Sequence, residues 1–145
     1  MTLKGRFGNT SGRPYIEGRL HLPRLGITSD VSFCVDTGAD TTVLLPSDGE
    51  RMGVDYRNLE TEVESVGVGG ISLDFQEKAA VIFAEPNRAL YVYLIDLLIS
   101  SPTPDIMALP SLLGRDILNR WRMTYNPSRA ALSFQVLDAD YTIPL

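Results

Sequence analysis

The chain has 145 residues, of which 44% are hydrophobic and 21% are charged, proportions typical of a soluble globular protein. This length predicts a single domain over residues 1–145. With 13 basic and 18 acidic residues the net charge is −5, which disfavours a nucleic-acid partner. One cysteine and one histidine exclude an internal disulfide and a histidine-rich metal site, so we expect no metal and no cofactor. Hydrolases that depend on histidine or zinc are disfavoured, whereas carboxylate chemistry stays open.

Targeting and membrane signals are weak. Residues 1–14 carry three basic side chains, but no apolar segment typical of a signal peptide follows them. The most apolar segment, residues 90–99, is interrupted by Asp96 and is about half as long as the ~20 residues of a spanning helix. We interpret it as a buried strand, and we expect a cytoplasmic protein with no membrane partner.

The pattern of apolar residues predicts strands along most of the chain. Between Tyr15 and Leu22 every second residue is apolar or glycine, which is the period of a half-buried strand. Residues 29–35 predict a second strand that ends at Asp36. Further strands are predicted over residues 42–45, 79–84, 91–99, 123–125 and 131–136, and a hairpin over 62–77.

Short helices and loops complete the predicted fold. One helix is predicted to begin at Pro46 and to end near Gly53, and another covers residues 115–120. Three prolines predict a loop over residues 100–110. The fold class is therefore mainly β, a barrel-like domain with one or two short helices.

Asp36, Thr37 and Gly38 form the first candidate motif. An apolar strand delivers the Asp36 carboxylate to a tight turn, and Gly38 lets the backbone approach that carboxylate closely. Asp-Thr-Gly is also ordinary turn chemistry, and by itself the motif favours an ordinary turn over a catalytic one.

Two further motifs are equally modest when taken singly. Leu112-Leu113-Gly114-Arg115-Asp116 reads as a helix N-terminus against the core, and Gly67-Val68-Gly69-Gly70 reads as a flexible hairpin turn. As a phosphate loop, the glycine segment lacks the Gly-Lys-Ser/Thr ending, which disfavours a nucleotide-binding function. The three motifs in this order and at these separations are hard to explain by chance.

Together the motifs resemble those of the retropepsin-like aspartic proteases, the single-domain proteases typified by the retroviral enzymes. The resemblance covers about residues 15–134. It implies a closed or partly open retropepsin-type β-barrel with one lobe per chain. It also implies that Asp36 is catalytic and that its turn is supported by Thr37, Gly38 and Ala39.

The same resemblance implies roles outside the turn. Arg115 would form a structural ion pair with Asp40. The flap over the substrate would be formed by Gly67, Val68, Gly69 and Gly70. Apolar pockets, which would favour polypeptide substrates with apolar residues near the cut, would be lined by Val43, Val66, Pro110 and Leu112.

The chain departs from the retroviral pattern in its length and its ends. It has extra residues before Pro14, between the flap and Leu112, and after Phe134. Residues 1–13 and 138–145 are therefore expected to be flexible or to form an interface. Because retroviral relatives build their dimer from terminal strands, we favour an interface strand for residues 138–145.

A single Asp-Thr-Gly motif predicts a homodimer. Aspartic peptidases use two carboxylates that share one proton, and no second aspartate here is followed by Thr-Gly or Ser-Gly. Asp36 must then meet its counterpart on a two-fold axis, and the monomer should be inactive. The predicted function is an aspartic endopeptidase. The alternative is a catalytically silent retropepsin fold kept for dimerisation or peptide binding.

Three other residues have structural interpretations. His21 is predicted to lie on the outward face of its strand. Cys34, on the apolar strand before Asp36, is interpreted as a small core residue. Trp121 is interpreted as part of the core or of a dimer contact.

Overall fold

The computed structural model of the protein describes residues 1–67 and 70–145, and their side chains except those of residues 65–67 and 70–72. Strands account for more than half of these described residues. No helix in this described part of the chain is long and apolar enough to cross a membrane.

The first half of the chain contains seven of the described strands and one helix. The strands are β1 (Thr2–Lys4), β2 (Arg6–Phe7), β3 (Pro14–Leu22), β4 (Ile27–Val35), β5 (Val43–Leu44), β6 (Thr61–Gly67) and β7 (Gly70–Glu85). The helix α1 (Pro46–Met52) begins at a proline, which suits a first turn, and ends at the left-handed Gly53 as the sequence predicts.

The second half follows the same pattern. Its strands are β8 (Ala89–Ser100), β9 (Leu112–Leu113), β10 (Trp121–Asn126), β11 (Ala131–Val136) and β12 (Tyr141–Pro144). The helix α2 (Arg115–Leu118) is a single turn. Short 3-10 turns lie at Tyr56–Asn58, Pro104–Ile106 and Pro127–Arg129.

The central feature of the fold is a closed barrel of six strands in the order β8, β5, β9, β4, β3 and β7, closed by pairing of β7 with β8. The strand β12 extends this sheet along one edge of β8. A separate sheet has the order β1, β11, β10. The predicted class, a mainly β barrel with two short helices, is confirmed.

The hydrophobic core follows the period of two that the sequence displays. On β3 the buried residues are Ile16, Gly18, Leu20 and Leu22, as predicted. Trp121 is 5% exposed, and its indole Nε1 donates to the Tyr93 hydroxyl at 2.7 Å. Trp121 therefore lies in the core, the first of its two predicted locations.

Some elements differ from the sequence prediction. The segments 70–77 and 79–84 form one continuous strand, β7, so the prediction of separate strands there is wrong. Lys78 separates them in sequence, but its side chain is exposed and pairs with Asp96 at 3.1 Å across the sheet. Lys78 lies on the outer, solvent-exposed face of the barrel, where a charged residue does not interrupt a strand.

Both ends of the chain contain strands that the sequence did not define. In residues 1–13, β1 pairs with β11 and β2 pairs with β3. In residues 138–145, β12 pairs with β8 of the same chain, with Tyr141 opposite Val92. All four side chains of β12 are exposed, and its predicted role in a dimer stays a prediction.

Two residues of the barrel wall have partly exposed side chains. His21 is half-buried, and its Nδ1 lies 2.7 Å from the Thr28 hydroxyl on the neighbouring strand. Cys34 is half-buried rather than fully enclosed. Burial is the largest cause that raises the pKa of the Cys34 thiol; the charge of Arg13 lowers this pKa and that of Asp36 raises it. The thiol is thus kept protonated and weakly nucleophilic.

The hydroxyl of Tyr56 identifies a site where stability can be gained. Among the described residues, it is the buried side-chain polar atom that has no hydrogen-bond partner. It packs against α1 at Gly49, where an added Cβ would collide with it. Because a buried polar group without a partner is costly, we expect Tyr56→Phe to raise the free energy of unfolding by about 1 kcal/mol in urea denaturation.

A matched control is Tyr91→Phe. The Tyr91 hydroxyl is also shielded, but it donates to Glu85 at 2.8 Å. This substitution should lower the free energy of unfolding. Equal destabilisation by both substitutions would contradict the account of Tyr56.

Candidate active site

The Asp36 carboxylate is held by its own turn. β4 ends at Val35, which is buried. Asp36 follows it and is half-buried, and Thr37 and Gly38 are exposed. The Gly38 amide donates to Asp36 Oδ1 at 2.9 Å, and the Ala39 amide donates to the Asp36 carbonyl at 3.2 Å. A Cβ on Gly38 would lie 3.2 Å from Oδ1, so glycine leaves room for this close approach.

The strand β9 lies between β4, which precedes this turn, and β5, which follows it. It runs parallel to β4, with Val35 opposite Leu113, and the Asp36 amide donates to the Leu113 carbonyl at 3.0 Å. Its other edge faces β5, with Val43 opposite Leu112. The Asp-Thr-Gly and Leu-Leu-Gly-Arg-Asp motifs, distant in sequence, are therefore adjacent in the fold.

Arg115 contacts the turn at three points. Its guanidinium forms an ion pair with Asp40 and donates to the Thr37 carbonyl at 2.7 Å, while its amide donates to the Ala39 carbonyl at 2.9 Å. The structure thus brings together the two residues that the resemblance pairs. Asp40 is 86% exposed and Arg115 40% exposed, and such a solvated pair contributes about 0–1 kcal/mol.

A second set of contacts to the same loop was missed by the sequence analysis. Thr42 is fully buried; its amide donates to Asp116 Oδ2 at 2.9 Å and its hydroxyl donates to Asp116 Oδ1 at 2.8 Å. The Gly114 amide donates to the same hydroxyl at 3.2 Å. The available signal was a threonine directly before the apolar residues of β5, since a buried polar side chain must have partners.

Another buried side chain fixes α1 beside β9. Ser111 is fully buried; its hydroxyl donates to Asp48 Oδ2 at 2.6 Å and accepts from the Leu45 amide at 3.0 Å. Its carbonyl accepts from the Cys34 amide at 2.8 Å. The segment 111–116 is therefore bonded to the chain on both sides of Asp36.

The residues predicted to line pockets are placed in part. Val43 and Leu112 face each other across β5 and β9, both half-buried, and Pro110 is half-buried two residues before Leu112. The side chain of Val66 lies outside the described residues. Of the predicted flap, Gly67 pairs with Gly70 across β6 and β7, while Val68 and Gly69 lie outside the described residues.

This arrangement defines the chemistry that one chain offers. In residues 1–67 and 70–145, no group of three or more His, Cys, Asp or Glu side chains could hold a metal ion. Asp36 supplies one oriented carboxylate, which can accept or donate a proton. A dyad that shares one proton needs a second carboxylate close to it.

Comparison with known proteins agrees with this geometry. The sequence model of the aspartyl protease family matches residues 25–78, which include the Asp36 turn, β5 and α1. No curated protein matches the chain in sequence.

Two of the solved structures that are similar to this one are proteases. A retropepsin-like aspartic protease from Rickettsia conorii has 20% identity and a TM-score of 0.64, and the match covers 100% of this chain and 94% of that one. EIAV protease in complex with the inhibitor HBY-793 has 23% identity and a TM-score of 0.46, with 77% of this chain and 90% of that one covered. The resemblance is therefore confirmed by the aspartyl protease match over residues 25–78 and by a fold shared with the retropepsin-like aspartic protease from Rickettsia conorii.

Proposed function

We propose that this chain is an aspartic endopeptidase that acts as a symmetric homodimer. Two findings support the proposal: the fold is that of a retropepsin-like aspartic protease, and residues 25–78 match the aspartyl protease family. Asp36 from each subunit would form the catalytic dyad. The observation that carries the proposal is the fixed carboxylate, with Gly38 donating to Asp36 Oδ1 and residues 113–116 bonded to its turn.

The two carboxylates would have different roles in the reaction, one as general base and the other as general acid. Two like charges about 3 Å apart cannot both ionise easily, so the pair keeps one proton. The ionised Asp36 takes a proton from a water molecule, whose oxygen attacks the carbonyl carbon of the peptide bond. The protonated Asp36 donates to the carbonyl oxygen. Collapse of the tetrahedral intermediate breaks the C–N bond, and the leaving nitrogen receives a proton from the dyad.

The proposed substrate is an extended polypeptide. Val43 and Leu112 present half-buried apolar surface next to the Asp36 turn, which favours apolar residues near the cut. The hairpin of β6 and β7 would act as the flap that covers the bound peptide and excludes water.

The direct test is cleavage of a mixed peptide library between about pH 3.5 and about pH 7.5, with the cut positions read by mass spectrometry. We expect cuts flanked by apolar residues. A dimeric protein that binds peptides without cutting them would favour the alternative, a silent dimerisation or peptide-binding module.

Ala39 gives the proposed activity a specific pH dependence. A serine at this position could donate a hydrogen bond to the Asp36 carboxylate and favour its charged form, whereas alanine cannot. Ala39→Ser should therefore shift the pH optimum of cleavage downward by about one pH unit, since one unit corresponds to about 1.4 kcal/mol. The optimum is read from kcat/KM against pH, and an unchanged profile would refute this role of residue 39.

A further inference from the structure

We propose that the hydrogen-bonded pair formed by the buried Thr42 and the half-buried Asp116, rather than the exposed ion pair Asp40–Arg115, holds the Asp36 turn in its catalytic geometry. Thr42 and Asp116 are thus positioning residues, which act through the backbone of the turn. This inference rests on the proposed protease function, because it ranks residues by their effect on cleavage.

The loop from Asp36 to Thr42 is bonded to residues 113–116 at both ends. At its start, the Asp36 amide donates to the Leu113 carbonyl at 3.0 Å. At its end, the Thr42 amide and hydroxyl donate to the two oxygens of Asp116 at 2.9 and 2.8 Å. The position of Thr42 therefore fixes one end of the loop, whose middle Arg115 contacts at the Thr37 and Ala39 carbonyls.

The Thr42–Asp116 and Asp40–Arg115 pairs differ in burial, and we expect them to differ in strength for that reason. Thr42 is 0% exposed and Asp116 is half-buried, so the charge-assisted bonds between them are partly shielded from water. In the single chain Asp40 is 86% exposed, so water and salt screen its attraction to Arg115. Loss of Asp40 leaves a solvated guanidinium that still donates to the Thr37 carbonyl at 2.7 Å.

Loss of the Thr42 hydroxyl has a different consequence. That hydroxyl donates to the half-buried Asp116 and accepts from the buried Gly114 amide at 3.2 Å, so the amide would lose its partner and Asp116 Oδ1 would keep only the Ile117 amide. The loop would relax toward new partners and move the Gly38 amide, which donates to Asp36 Oδ1. Displacements of about 1 Å in a catalytic constellation can cost about 100-fold in rate.

The experiment compares four variants of the full chain. Thr42→Val keeps the shape and removes the hydroxyl, and Thr42→Ser keeps the hydroxyl. Asp40→Ala removes the exposed ion pair, and Thr124→Val makes the same threonine change at an exposed residue of β10, outside the Asp36 loop. Steady-state cleavage gives kcat and KM, while the fluorescence of the buried Trp121 and sedimentation report folding and dimerisation.

We expect Thr42→Val to lower kcat by about 30-fold with KM changed less than about threefold, because substrate contacts stay in place. Thr42→Ser should restore kcat to within about threefold of the wild type. Asp40→Ala should cost about threefold, and Thr124→Val should leave kcat unchanged. A larger kcat loss in Asp40→Ala than in Thr42→Val, or no rescue by serine, would overturn the proposal.

Two further measurements keep the test decisive. If Thr42→Val does not fold, Asp116→Asn replaces it; the amide keeps one acceptor, and an expected kcat loss of about tenfold exceeds that of Asp40→Ala. If the wild type does not cleave peptides, the protease function fails, and hydrogen exchange of the Gly38 amide tests the positioning alone. Exchange should accelerate more in Thr42→Val than in Asp40→Ala, and the reverse order would overturn the inference.

Discussion

Asp36→Asn is expected to reduce peptide cleavage by about 1,000-fold or more at every pH, because the amide cannot accept the proton of the attacking water. Asparagine has nearly the shape of aspartate and keeps an oxygen that can accept from the Gly38 amide, so the turn should persist. Initial rates on the peptide library measure the loss, and sedimentation shows whether the variant still dimerises.

The control for this change is Asp96→Asn. The Asp96 carboxylate is 52% exposed and pairs with Lys78 on the outside of the barrel, and the substitution makes the same chemical change far from the turn in sequence. Its cleavage rate should equal that of the wild type. Wild-type rates in a dimeric Asp36→Asn protein would show that the activity has another source.

Gly114→Ala has the second large expected effect, this time on stability. A Cβ at this position would overlap the carbonyl carbon and oxygen of Thr41 and lie 2.9 Å from its Cα. The obstacle is backbone, which cannot rotate away as a side chain can. We expect the free energy of unfolding to fall by about 3 kcal/mol in urea denaturation, with a loss of cleavage as the Asp36 loop is pushed from residues 113–116.

The matched control is Gly53→Ala. Gly53 ends α1 with φ 83°, and nothing lies within 4 Å of an added Cβ. The cost there is left-handed backbone strain alone, about 1 kcal/mol, and cleavage should be retained. Equal losses of stability at the two positions would show that close packing of Gly114 on Thr41 is not the cause.

The sequence predicts the parts of this protein that have a local cause. The alternation along β3 defines its buried face, and the proline and glycine that bound α1 define its ends. The Asp36 turn is recognisable because a carboxylate and a glycine follow an apolar strand. The proximity of Asp40 and Arg115 follows from the family resemblance and not from their separation in sequence.

Other parts have causes that lie far away in the chain. β1 and β12 are short, and they exist because β11 and β8 offer edges for pairing. The Thr42–Asp116 contact forms only when β9 is inserted between β4 and β5. A pattern within one segment does not reveal which buried polar residue meets which, so these residues needed the structure.

The most direct test of the central claim, one active site built from two chains, is a mixing experiment. Wild-type and Asp36→Asn chains are refolded together at increasing ratios while the amount of wild type stays constant. If each active site needs Asp36 from both subunits, random pairing leaves about half of the wild-type activity at an equal mixture and about a quarter at threefold excess of the variant. Activity that stays constant at every ratio would contradict the shared site, because each wild-type chain would then work alone.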